Sequence, residues 1–209
     1  MEIERVHGFY AFHGTAESCA KKISDSHKFK AETPRPDHWL GQGVYFFRED
    51  EEQALMWAKI KVERNPQFSG EKPRVVEVFL ESNESNFLNL DTRGGLINLG
   101  VYLNEMKKQG LRIEADANIE EIPARIRCYI LSILPDTVWM IQRTFKVERS
   151  IFDKSELFVS MELSLLGTQI CVRNHNVVKK GSIRLSEMQQ TRQVPRTLFM
   201  KFKAEMREE

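Results

Sequence analysis

Two short stretches carry the residue types from which a site for a small aromatic ligand can be built. The first is Phe12-His13-Gly14-Thr15, and the second is Trp39-Leu40-Gly41-Gln42-Gly43-Val44-Tyr45-Phe46-Phe47. His13 offers two ring nitrogens to a sugar hydroxyl. Gly14 lets a planar group approach bare backbone, where an amide is gripped by N–H and C=O. Tyr45 offers a flat ring on which an aromatic ligand stacks. A ligand with an aromatic carboxamide and a ribose would satisfy all three.

Those residues need elements that bring them together. Gly8 to Phe12 alternates aromatic and small residues and reads as a strand leading into His13, with Thr15 at the expected N-cap of a helix over Ala16 to Ser24. Ala20 and Ile23 face inward from that helix. Asp25 to His38 is a loop with Pro34 and Pro36, and Val44 to Phe47 resumes as a strand. The two stretches can therefore be neighbouring strands whose polar residues meet at one cleft. An acidic run, Glu49 to Glu52, suits the positive end of a helix from about Glu51 to Glu63, with Ala54, Trp57, Ala58 and Val62 on one face.

Further on, Arg74 to Leu80 and Phe87 to Asp91 are strand-like. Two helices are expected over Leu96 to Gln109 and Ile119 to Leu134, followed by strands at Thr137 to Val147, Leu157 to Met161 and Gln169 to Arg173. The charged tail from Ser186 to Glu209 has no assigned structure. This order lacks the glycine-rich first turn and the repeated βαβ rhythm of a dinucleotide-binding Rossmann domain. It fits an α+β fold of two packed, mainly antiparallel sheets with flanking helices and a helical insertion at about 94–134. One domain over 1–209 is expected from the length and the even composition.

His-Gly-Thr, a helix, and a Gly-x-Gly-x-Tyr strand followed by a helix with Ala54 and Trp57-Ala58 resemble the NAD-binding half of the ADP-ribosyltransferase superfamily. The similarity is to the histidine-tyrosine branch that includes poly(ADP-ribose) polymerases and diphtheria-type toxins. Thr168-Gln169-Ile170-Cys171-Val172-Arg173-Asn174, with Val177-Val178, is similar to that family's late strand, although members often carry glutamate where this chain has Gln169. The resemblance covers 10–62 and 168–178 and hardly touches the middle.

The resemblance implies NAD as substrate and rupture of the bond between nicotinamide and ribose through an oxocarbenium-like transition state. It implies that His13 bonds the adenosine ribose, Gly14 the nicotinamide amide, and that Thr15 supports the loop. Tyr45, beside Gly43, would stack on nicotinamide, and Gln169 would bond the ribose hydroxyls. Arg35 and Arg48 are candidates to pair with the pyrophosphate. A glutamine has no charge and cannot act as general base, so single transfer is expected rather than chain building. The acceptor is then a good nucleophile or is activated by another group, with Glu156 and Glu162 the nearest acidic residues in sequence.

Composition limits the partners. Lys and Arg number 31 against 30 Asp and Glu, a net charge of +1, which gives no long-range field selecting a polyanion or an anionic membrane. Cys19, Cys128 and Cys171 show no paired spacing, and His7, His27, His38 and His175 form no metal motif, so neither disulfide nor metal is expected. No apolar run approaches membrane-spanning length and no leader-like segment stands out, so a cytoplasmic protein is expected.

The favoured reading is a mono-ADP-ribosyltransferase that modifies RNA, DNA or protein. It resembles stand-alone bacterial toxin and phage-defence transferases, which implies a neutralising antitoxin partner. One alternative is an RNA 2′-phosphotransferase-like enzyme, which shares a His-Gly-Thr opening but relies on several arginines not matched here. Another is a catalytically silent module that binds NAD or ADP-ribose, for which Gln169 is the best support.

Overall fold

The computed structural model describes residues 4–31, 38–110, 122–146 and 166–187. Its strands are β1 (Val6–Ala16), β2 (Val44–Arg48), β3 (Pro73–Asn83), β4 (Phe87–Asn89), β5 (Met140–Lys146), β6 (Leu166–Val172) and β7 (Arg184–Leu185). Its helices are α1 (Glu17–Ser26), α2 (Glu51–Arg64), α3 (Arg93–Lys108) and α4 (Ile122–Ser132). The chain is α+β, as expected. The expected strand over Leu157 to Met161, most of the tail, Arg35, Glu156 and Glu162 lie outside the described residues.

The described strands form one mixed sheet of seven in the order β4-β5-β6-β2-β1-β3-β7, where two packed sheets were expected. The reason is a narrow junction. β1 and β2 pair only through Ala11–Arg48 and Phe12–Phe47, and this short ladder keeps both halves of the sheet continuous. On one side, β1 pairs with β3 over its whole length, from Val6–Asn83 to Ala16–Pro73. On the other, β6 pairs with β2 and β5, and β4 joins β5 as the parallel pair.

Strand periodicity divides the core between the two faces. Phe46, Ile170 and Met140 pack with Val76, Val78 and Leu80, and α1 adds Ala20 and Ile23 to this face. The opposite face takes Leu88, Ile141 and Cys171 under Leu131 and Leu134 in one cluster, and Phe47, Ala54 and Val75 under α2 in another. Helices thus cover both faces of the sheet, and the opening between β1 and β2 lies between them.

The helix starts have different causes. Asp50 caps α2 by accepting from Gln53 N at 2.9 Å, with Glu51 and Glu52 in the first turn. Thr15 is not the cap of α1. β1 runs on to Ala16, and Ala16 stands at the N-cap without a side-chain bond. Glu71 serves that helix instead, accepting from Ser18 N and Ser18 Oγ, both at 2.9 Å.

Candidate functional site

The site is where the β1–β2 ladder stops. Continued register would pair His13 with Phe46 and Gly14 with Tyr45, but backbone pairing ends at Phe12. His13 bridges the opening with its side chain, donating from Nδ1 to the Tyr45 carbonyl at 2.7 Å. A carbonyl only accepts, so this bond places a proton on Nδ1. The imidazole is also packed edge-on to Phe29 and against Phe46, with centroids 5.5 Å away in each case.

A cavity of about 270 Å³ occupies the opening. His13, Gly14, Gly43, Tyr45 and Gln169, five of the residues singled out in the sequence, line it together. They come from β1, β2 and β6 and, for Gly43, from the loop that enters β2. Tyr45 and Phe47 are an even step apart on β2, and Gln169 lies opposite Phe47 in the β2–β6 register, which puts all three side chains on one face.

Two other residues singled out in the sequence are placed elsewhere. Arg48 is an odd step from Tyr45 and does not line the cavity; its guanidinium stacks 4.4 Å from the Phe9 ring centroid and donates to Gln142 Oε1 at 3.1 Å. Thr15 pairs with Arg74 at the end of β1, is 1% exposed, and stands off the cavity.

The two glycines have packing roles that the sequence did not disclose. A Cβ on Gly14 would stand 1.9 Å from Ala54 O and 3.0 Å from Ala58 N, inside a helical hydrogen-bond step of α2. Glycine at 14 and alanine at 54 and 58 therefore let α2 lie directly on β1. A Cβ on Gly43 would meet Cys171 Sγ at 2.5 Å and Val172 O at 2.6 Å, so glycine there admits β6.

Tyr45 is held at both ends. Its hydroxyl donates to Gly41 O at 2.6 Å and accepts from Leu40 N at 2.9 Å, so the loop before β2 is clamped onto the phenol. Burial, with the neighbouring Cys171 adding to it, pushes the phenol far above the usual tyrosine range. Tyr45 thus supplies a neutral ring and a structural hydroxyl, not a proton-transfer group. His38 is 4% exposed and sets its ring 5.1 Å from that of Tyr45 at 32°, on the cavity wall. Burial pushes the Cys171 thiol up to about 12, so it is no nucleophile at neutral pH.

Residues absent from the sequence reading of the site complete the wall. Trp57, Ile60, Lys61 and Arg64 line the cavity from α2 at spacings of three, one and three residues, which is one helical stripe. Lys30 joins them from the segment after α1. The 3.6-residue spacing was available in the sequence; the direction of the stripe was not. Among the described residues, no Asp or Glu lines the cavity and no group is placed to hold a metal ion. No described helix is long and apolar enough to cross a membrane. Comparisons with protein-family models, curated proteins and solved structures gave no match.

Proposed function

We propose that this chain is a mono-ADP-ribosyltransferase that binds NAD in the opening between β1 and β2 and breaks its nicotinamide–ribose bond. The observation that carries this reading is the meeting of His13, Gly14, Tyr45 and Gln169 on one cavity, although up to 156 positions separate them in sequence. The resemblance to the histidine-tyrosine transferases assigns a ligand-facing role to each of these four residues. Their shared wall is what an ADP-ribosyltransferase-like fold requires.

In this reading the Tyr45 ring takes the nicotinamide, with its hydroxyl committed to Leu40 and Gly41 and so unable to compete for the ligand. His13, fixed through Nδ1, receives a ribose hydroxyl at Nε2. Gln169 bonds the ribose next to the breaking bond. Positive charge develops on the ribose as nicotinamide leaves, and the carboxamide oxygen of Gln169 stabilises it only as a dipole. The acceptor nucleophile, a base or hydroxyl of nucleic acid or a protein side chain, then attacks the anomeric carbon and loses its proton. A toxin or defence effector in the cytoplasm, held in check by an antitoxin protein, is the biological setting that the resemblance supports.

The absence of a described carboxylate from the cavity wall favours a second reading, a module that binds NAD or ADP-ribose without turnover. Incubation with NAD labelled in the adenylate, together with cell lysate, separates the two. Covalent label that disappears in His13→Ala and Tyr45→Ala supports transfer, and saturable binding with no label transferred supports the silent module. Digestion of the labelled product with ribonuclease, deoxyribonuclease or protease then assigns the acceptor class.

A further inference from the structure

We infer that Lys61 and Arg64 of α2, with Lys30, form an anion subsite at the cationic end of the cavity, where they hold the diphosphate of the ligand. The stripe Trp57, Ile60, Lys61, Arg64 changes from aromatic and apolar to cationic along one face of α2, and all four residues line the same cavity as Tyr45. A ligand with a planar group at one end and phosphates further along matches that polarity. The phosphate-pairing role considered for Arg48 thereby passes to residues on a different element, since Arg48 is engaged with Phe9 and Gln142 off the cavity.

Charge makes the feature local. The whole chain carries a net charge of only +1, yet three cations and no described carboxylate line this cavity. Lys30 and Arg64 take part in none of the ion pairs among the described residues. Basic residues in a last helical turn also offset the negative end of the helix dipole, but that effect is the same whichever way they point. Here they point into a cavity. The end of α2 is also fixed, because Asn65 Nδ2 donates to Lys61 O at 2.6 Å and the Lys61 ammonium lies 5.9 Å from the Phe68 ring centroid. Guanidinium and ammonium groups side by side suit a diphosphate, with Arg64 able to bond two oxygens at once.

That an anion binds here follows from the geometry of this wall; that the anion is a diphosphate rests on the NAD reading above. Both are tested by titrating the full chain with ADP-ribose, inorganic pyrophosphate and nicotinamide, for wild type, Arg64→Gln and the double variant Lys61→Gln/Arg64→Gln. Nicotinamide affinity serves as the control for an intact cavity, and the single variant at exposed Arg64 stands in if the double variant does not fold. Affinity for ADP-ribose and pyrophosphate is expected to fall about 10-fold in the single and about 100-fold in the double variant, with nicotinamide unchanged and a steep loss at high salt. Pyrophosphate binding that depends on Arg64 in a protein that ignores ADP-ribose would uphold the anion subsite and remove the NAD reading. ADP-ribose binding that is equal in wild type and both variants would overturn the subsite and leave the NAD reading standing. Failure of wild type to bind either phosphate ligand overturns it as well.

Discussion

His13 donates its Nδ1 proton to the backbone carbonyl of Tyr45 across 2.7 Å, at the point where the backbone ladder between their two strands has ended. A side chain thus takes over from the sheet, and the opening it spans is where the cavity forms. The same bond orients the ring with a proton on Nδ1 and ties together two of the residues assigned to the ligand.

Replacing His13 tests this bridge. His13→Ala is expected to cost about 1 kcal/mol of stability through the lost hydrogen bond, and dinucleotide affinity should fall about 10- to 100-fold. His13→Asn, which keeps a donor, should recover stability more than affinity. Thermal melts and ligand titration check both, and equal recovery of the two would contradict the separate roles of Nδ1 and Nε2.

Tyr45→Phe keeps the ring and deletes the clamp. The Leu40 N–H and the Gly41 carbonyl lose their partner, so a loss of about 1–2 kcal/mol is expected, with NAD binding reduced less than in Tyr45→Ala. Because burial raises the phenol pKa in the folded state, the native form holds that proton more tightly than the unfolded chain. Stability from this group is full below about pH 10 and is lost as pH rises beyond it. A melting-temperature series from pH 8 to 11 should fall at the alkaline end in wild type and fall less in Tyr45→Phe.

Gly14→Ala is expected to be severe for a reason unrelated to ligand. Its Cβ would stand 1.9 Å from Ala54 O, so α2 must lift off β1 at a cost of about 3 kcal/mol or more. Melting temperature without ligand is the measurement. An unchanged value would show that α2 does not lie on β1 as described.

Much of the fold was legible in the residues. The alternation at the start of β1, the apolar runs of β2 and β3, the acidic start of α2, and two helices between β4 and β5 all follow from local pattern. Arg48 could have been excluded by parity alone, since a residue three places from Tyr45 on a strand points to the other face. The stripe ending at Arg64 was likewise readable as helical spacing, but nothing local says that it turns to a cavity. Tertiary pairings were beyond reach. Glu71 capping α1, Gly14 making room for Ala54 and Ala58, and the merging of the strands into one sheet through two residue pairs each depend on segments far apart in sequence. Arg173 belongs with these. Its guanidinium donates to the carbonyls of Leu134, Pro135 and Val138 and pins the turn between α4 and β5.

His175 gives stability an acid limb. Its Nε2 accepts from Phe29 N at 3.4 Å, and Phe29 in turn packs edge-on to His13. Burial and then the charge of Lys28 hold the His175 pKa below the usual histidine range. The unfolded chain therefore takes up the proton first, so stability is full above about pH 6.5 and declines as pH falls below it. His175→Gln should flatten the dependence of melting temperature on pH between about 6.5 and 5. An unaltered slope in the variant would assign the acid limb to other groups.

The most direct test is the rate at which the purified chain releases nicotinamide from NAD, measured for wild type, Tyr45→Ala and Gln169→Glu with ligand binding followed in parallel. Slow release by wild type, none by Tyr45→Ala, and a rate about 10-fold or more higher in Gln169→Glu, where a carboxylate faces the developing ribosyl cation, is the expected result. A wild-type chain that neither binds NAD nor releases nicotinamide, with Gln169→Glu equally inert, would contradict the assignment of this cavity to NAD.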